Sequence, residues 1–263
     1  MGSDAPPAYS GNPPIYQAPA PEVAPDTDSR YDFLTTFDTI FLIDDSGSMA
    51  GRSWRETSAA LSSIAKICTT HDKDGIDIYF LNAKDNASYK NIKDAAQVNQ
   101  VFESVKPGGG TPTGTKLNKI LKPYLAECES KGIGNVDNVK PLNIIVITDG
   151  VATDDPESVI LQAATKLDKL EAPPWQIGIQ FFQVGEERGA AEALQELDDC
   201  IKDMVVGGCR DIVDTVPWKG SNSTGLNADG ILKVVLGSVN KRLDRKKVSL
   251  DGRPTLGPMP GHF

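Results

Sequence analysis

The chain has 263 residues and a formal net charge of −9 at pH 7. That length holds one α/β domain with tails, and the acidic balance argues against a nucleic-acid surface, because phosphate binding needs clustered Lys and Arg. No apolar run is long enough to span a bilayer, and no basic segment followed by an apolar core marks a secretory signal, so the expected location is cytoplasmic.

Residues 1–30 are dense in proline and almost free of large aliphatic side chains. Such a segment cannot bury enough apolar surface to offset its ordering entropy, and a disordered or polyproline-like tail is expected. Within it, Pro6-Pro7-Ala8-Tyr9 and Pro13-Pro14-Ile15-Tyr16 both fit P-P-x-Y, the pattern bound by WW domains. A preformed polyproline helix loses little entropy on docking, and its rings fill an aromatic-lined groove. The alternative is a solubilising tail that merely contains tyrosines.

The run from residue 37 to 43, FDTIFLI, is apolar and rich in β-formers, as expected of a strand buried on both faces. It leads into DDSGSM, residues 44–49, and then into a helix predicted over residues 53–69, with Trp54, Thr57, Leu61, Ile64 and Cys68 on its core face. A strand is expected over 76–81, a short polar strand over 87–92 and a helix over 94–105. After the glycine loop 108–110, Leu117, Ile120, Leu121, Tyr124, Leu125 and Cys128 mark a further helix, which Pro123 should kink or split. IIVITDG, residues 144–150, is a second buried strand ending in an acid. Asp155-Pro156 is a helix start, with an acidic cap and proline at the first position. That helix should end before Pro173-Pro174. Strands at 175–184 and 211–216 and helices at 190–201 and 228–243 follow, and residues 246–263 lack periodicity. Strands alternating with helices predict an α/β, doubly wound, Rossmann-like open sheet with helices on both faces.

Three stretches carry chemistry. Asp44, Ser46 and Ser48 place one carboxylate and two hydroxyls on a tight turn where a central strand ends, the crest at which open α/β sheets bind ligands. They form an all-oxygen cup of the kind that hard ions such as Mg²⁺ prefer. The competing reading is that the serines only cap the helix and Asp44 only closes the turn. The second stretch, Gly108-Gly109-Gly110-Thr111-Pro112-Thr113-Gly114, lacks the GK[ST] ending of a phosphate loop and has no apolar strand immediately before it. The third is Thr148-Asp149-Gly150. Together, D-x-S-x-S, GGT-P-T and ITDG resemble the von Willebrand factor A family, which includes the integrin I domains, over residues 37–243, with its metal-ion-dependent adhesion motif intact.

That resemblance implies a mostly parallel sheet with one short antiparallel edge strand at residues 87–92. It implies that Ser46, Ser48 and Thr111 ligate a Mg²⁺ or Mn²⁺ ion through hydroxyls, that Asp44 and Asp149 hold it directly or through water, and that one coordination position stays open for an Asp or Glu of a partner protein. Asp45 fills a variable position with no metal role. The domain is expected over 31–245, between the proline-rich tail 1–30 and a C-terminal tail 246–263. Cys68, Cys128, Cys200 and Cys209 show no CxxC spacing, and His71 and His262 are the only histidines, so a zinc site is not expected. Reduced thiols are expected.

The expected function is a non-catalytic, metal-dependent protein-binding module whose tail recruits a WW-domain protein. One alternative makes the tail primary, as an adaptor for a HECT-type ubiquitin ligase. Another is a metal-dependent hydrolase or phosphoryl-transfer enzyme. Against the enzyme, DDSG lacks the D-x-D-x-T pattern of aspartyl-phosphate phosphatases, no GxSxG elbow occurs, and neither histidine adjoins a motif.

Overall fold

A computed structural model describes residues 37–71, 75–185, 189–206 and 210–216. Both PPxY motifs, the helix expected over 228–243 and the C-terminal tail lie outside these residues, as do Cys209 and the side chains of Cys68 and Cys200. Five strands form one sheet: β1 (Asp38–Ile43), β2 (Asp77–Phe80), β3 (Leu142–Thr148), β4 (Ile177–Gln183) and β5 (Val213–Val216). Their order is β2-β1-β3-β4-β5, and every pairing is parallel. The helices are α1 (Arg52–His71), α2 (Ala95–Ser104), α3 (Thr113–Lys131), α4 (Pro156–Lys169) and α5 (Ala190–Val206).

The two-residue period of a strand divides the core. Phe41 and Ile43 of β1, with Ile145 and Ile147 of β3, pack with Leu61 and Ile64 of α1 and Val98 and Phe102 of α2. Ile40 and Leu42, with Ile144 and Val146, face the other way, onto Leu117 and Leu121 of α3, Ile160 and Leu167 of α4 and Leu194 of α5. Strands covered on both faces need apolar side chains at successive positions, which explains the unbroken runs in β1, β3 and β4. One polar pair interrupts them: Gln180 Nε2 donates to Asn143 Oδ1 at 3.1 Å, between β4 and β3.

One local expectation fails, and half of a second. The segment expected to be an antiparallel edge strand is a 3₁₀ turn, Ala87–Tyr89, followed by a single antiparallel bridge between Ile76 and Ile92. Asn86 caps the turn by accepting from Ser88 N, Tyr89 is buried against Phe80, and Asn91 takes a positive φ of 51°, so the chain curls where a strand would run straight. Of the kink or split expected at Pro123, the split does not occur: α3 continues unbroken to Lys131. Both Pro123 and Lys119, whose carbonyl the proline leaves without its helical partner, face solvent, while Ile120, Leu121 and Leu125 hold the helix to the core.

The other helix signals hold. Asp94 and Asp155 cap α2 and α4 by accepting from Gln97 N and Ser158 N, and Pro156 opens α4. Cys128 is a buried free thiol, pushed up to about 11 by burial and by the neighbouring Glu127 charge, an inert core residue.

Gly114, in the first turn of α3, lies against the start of α4. A Cβ there would stand 2.6 Å from the carbonyl oxygen and 2.8 Å from the carbonyl carbon of Asp155. These are backbone atoms that cannot rotate away. Gly114→Ala is therefore expected to cost about 1–3 kcal/mol of stability through forced separation of α3 from α4, measured by denaturant unfolding. An unchanged unfolding midpoint would contradict this contact.

Candidate functional site

The strand order places a topological switch point between β1 and β3: the chain leaves β1 for β2 on one side and returns to β3 on the other. The register matches Ile43 with Ile147, so Asp44 follows β1 directly beside Thr148 and Asp149. Asp44 N continues the ladder by donating to Ile147 O at 2.9 Å.

From there a chain of short hydrogen bonds crosses the crest. The fully buried Asp44 carboxylate accepts from Ser46 N at 2.8 Å through one oxygen and from Thr148 Oγ1 at 2.6 Å through the other. Ser46 Oγ and Ser48 Oγ lie 3.0 Å apart, and Ser48 Oγ donates to Asp149 Oδ1 at 2.8 Å. Asp44, Ser46 and Asp149 are buried, whereas Ser48 faces solvent, so the cluster opens outward. Thr111 arrives from the loop ahead of α3. A Cβ on Gly150 would stand 3.9 Å from Ser48 Oγ and 4.0 Å from Thr111 Oγ1, so the bare Cα keeps the space beside both hydroxyls open. All five residues singled out from sequence thus meet at one crest.

The side chains that brace this crest carry no recognisable motif. Asp45, adjacent to Asp44 and also a carboxylate, turns the other way: Oδ1 accepts from Asn82 N at 2.7 Å and Asn82 Nδ2 at 3.0 Å, and Oδ2 from Ala83 N at 2.9 Å. Asp154 accepts from Gly114 N, Thr115 N and Thr115 Oγ1 at 2.7–2.8 Å. It thereby supplies the N-terminal cap of α3 that Pro112 cannot. Lys116, buried beneath the loop after β2, donates to Ala83 O at 3.2 Å and pairs with Asp85 at 3.0 Å. Asp45 stood within DDSG and Thr148 within ITDG, but nothing in the sequence assigned Asp45 to Asn82 or Thr148 to Asp44.

Among the described residues, no group of three or more His, Cys, Asp and Glu side chains is arranged to hold a metal ion. A cation at this crest would have to take hydroxyl oxygens beside the two carboxylates, and every donor present is a hard oxygen, the set suited to Mg²⁺ rather than to a softer metal.

Residues 38–206 match the von Willebrand factor type A domain. The chain belongs to that family. Its domains are a common protein-interaction module, generally non-catalytic, and often bind a divalent metal. Among solved structures, a von Willebrand factor type A protein from Catenulispora acidiphila is 14% identical over 78% of this chain and 43% of its own, with a TM-score of 0.45. The von Willebrand factor domain of a type V pili tip protein from Porphyromonas gingivalis is 25% identical over 45% of this chain and 39% of its own, with a TM-score of 0.31. The chain therefore spans less than half the length of either. No curated protein matches it. No helix among the described residues is long and apolar enough to cross a membrane.

Burial pushes the Asp44 carboxyl above its ordinary range, against the opposing hydrogen bonds from Thr148 and Ser46, and the Asp45 charge adds to the rise. A folded-state pKa above the unfolded one means that the folded chain binds the proton more tightly. Stability from this group is present at low pH and is lost as pH rises through the folded pKa. In chelator at pH 7, Asp44→Asn should therefore unfold at a midpoint equal to or above that of the wild type. The gap should close as pH is lowered through the folded pKa towards 3.8. A mutant clearly less stable than wild type at pH 7 would show that the ionised carboxylate is a net structural asset without metal.

Proposed function

We propose that this chain is a non-catalytic protein-binding module that holds Mg²⁺ or Mn²⁺ at the β1–β3 switch point and presents it to an acidic residue of a partner protein. The observation that carries this reading is the hydrogen-bonded run Ser46–Ser48–Asp149 beside Thr111, open to solvent at Ser48. In this reading the hydroxyls of Ser46, Ser48 and Thr111 are ligands, and Asp149 holds the ion directly or through water. Asp44, whose two oxygens already accept from Ser46 N and Thr148, acts from behind. Neutral hydroxyls leave the ion much of its charge, and its chemistry at this site is to attract a carboxylate from outside.

The domain proposal is a binding unit over 31–245 between a proline-rich tail, 1–30, and a C-terminal tail, 246–263. The PPxY motifs at Pro6-Pro7-Ala8-Tyr9 and Pro13-Pro14-Ile15-Tyr16 would recruit a WW-domain protein while the domain holds a client, the arrangement of an adaptor.

Calorimetry of the full chain is expected to show Mn²⁺ binding that is lost in Asp44→Ala/Asp149→Ala, with far-UV circular dichroism unchanged, since both residues follow the last strand positions and neither belongs to the apolar core. Ca²⁺ should bind less well, because it prefers longer bonds and more ligands than this cup offers. Undiminished Mn²⁺ affinity in the double mutant would remove the ion from this site. Once a partner is in hand, changing its Asp or Glu to the amide should abolish binding, and chelator should do the same.

The tail is separable from the metal. A peptide of residues 1–20 should bind a WW domain in chelator, with Tyr9→Ala/Tyr16→Ala abolishing the interaction and either single change leaving part of it. Full retention by the double mutant would reduce the segment to a solubilising tail.

A further inference from the structure

Thr111 follows three consecutive glycines, the residue type that least restrains its own backbone. A hydroxyl at the end of such a loop has no fixed direction unless something outside the loop holds it. Two tethers do so, one on each side of the Thr111 Cα. On the C-terminal side, Thr111 O accepts from Thr153 N at 2.9 Å and from Thr113 N at 2.8 Å. On the N-terminal side, the peptide joining Gly110 to Thr111 is held through Gly110 O, which accepts from Asn82 Nδ2 at 2.9 Å.

Asn82 is itself fixed. Asp45 Oδ1 accepts from both its backbone N and its side-chain Nδ2. The short loop that carries it is anchored further on by Ala83 N to Asp45 Oδ2 and by Lys116 to Ala83 O. The loop ahead of Thr111 is shaped to this amide. Gly109 has a φ of +87°, and a Cβ there would stand 2.9 Å from Asn82 Oδ1. Gly109 O and Gly108 N are in turn bonded to Gly47 N at 3.3 Å and Asp45 O at 2.7 Å, which closes the ring of loops.

We infer that Asn82 is a positioning residue for the metal centre: held by Asp45, it clamps the Gly110–Thr111 peptide and so aims the Thr111 hydroxyl at the space shared with Ser48. The inference rests on the metal-binding reading for its consequence but not for its geometry. Asp45, one residue from a carboxylate of the site, thereby acts on the site at one remove, through Asn82, and not as a ligand. A rearrangement that carries the Gly110–Thr111 peptide away from Asn82 has to break this bond.

The test uses the full chain, with Mn²⁺ as probe, and compares wild type with Asn82→Ala and Asn82→Ser, neither of which can span to Gly110 O. Asn82 is solvent-exposed, so both variants should fold, with metal-free melting close to wild type. Mn²⁺ affinity should fall about three- to tenfold, the weight of one neutral hydrogen bond, at unchanged stoichiometry. A purely structural role would lower melting and leave Mn²⁺ affinity untouched. Hydrogen exchange of the metal-free protein gives a second reading. The Gly47, Gly108 and Thr153 amides, which bridge the loops, should exchange faster in both variants while the sheet amides do not. Mn²⁺ affinity equal to wild type overturns the inference, and so does unchanged exchange at those three amides. If wild type binds no Mn²⁺, the metal reading fails by itself, and the exchange result alone decides whether Asn82 clamps the loop.

Discussion

The crest depends on one pairing, β1 with β3 in parallel and in the register that sets Ile43 beside Ile147. A strand slipped by one residue would turn its whole apolar set to the opposite face. Both strands are covered on two faces, but by different helices of different shape, so the slip would also exchange Phe41 and Ile43 with Ile40 and Leu42 between unlike cores. Core packing therefore fixes the register, and the register puts Asp44 against Thr148 and brings Asp149 to Ser48. The site inherits its geometry from the hydrophobic core and makes little of it by itself.

What the site does contribute is electrostatic tension. Asp44, Asp45 and Asp149 are all buried within one crest. Asp45 is relieved by three donors from residues 82 and 83, and Asp44 by one hydroxyl and one backbone amide. Burial still holds the Asp44 carboxyl above its ordinary range. A fold that keeps a carboxylate ionised in such a place bears a cost that a bound cation would offset. In the metal-binding reading proposed above, the same residues that weaken the metal-free protein would supply the affinity for the ion.

Much of this was legible in the residues, and for identifiable reasons. Strands buried on both faces announce themselves as FLI and IIVI runs, and Asp94, Asp155 and Pro156 mark helix starts through chemistry confined to four neighbouring residues. The candidate residues Asp44, Ser46, Ser48 and Asp149 stood out because they lie at the ends of those runs, and Thr111 because it follows three glycines. The segment 87–92 misled because a polar stretch beside a sheet reads as an edge strand, whereas Asn86, Asn91 and the burial of Tyr89 curl it. Pro123 leaves the helix whole because the rule against proline in helices concerns the loss of one bond, and that loss falls at Lys119 on the solvent side. The bracing roles of Asp45, Asn82 and Asp154 were invisible for a different cause: their partners are 37 to 40 residues away, and only the folded sheet brings them together.

Those distant partners also explain why the site needs so much bracing. A metal centre built from several carboxylates draws its ligands in by charge, and a loosely held ligand is pulled into place by the ion. Hydroxyls are neutral and exert a far weaker pull, so a centre that relies on Ser46, Ser48 and Thr111 has to have them placed in advance. The serines are placed by the strand end and by their bonds to one another and to Asp149. Thr111 stands at the end of a glycine loop, and its placement comes from Asn82 on one side and Thr153 on the other. In the proposed reading, neutral ligands would preserve the charge that attracts a partner's carboxylate, and the second layer of Asp45, Asn82, Asp154 and Lys116 would be the structural counterpart of that choice.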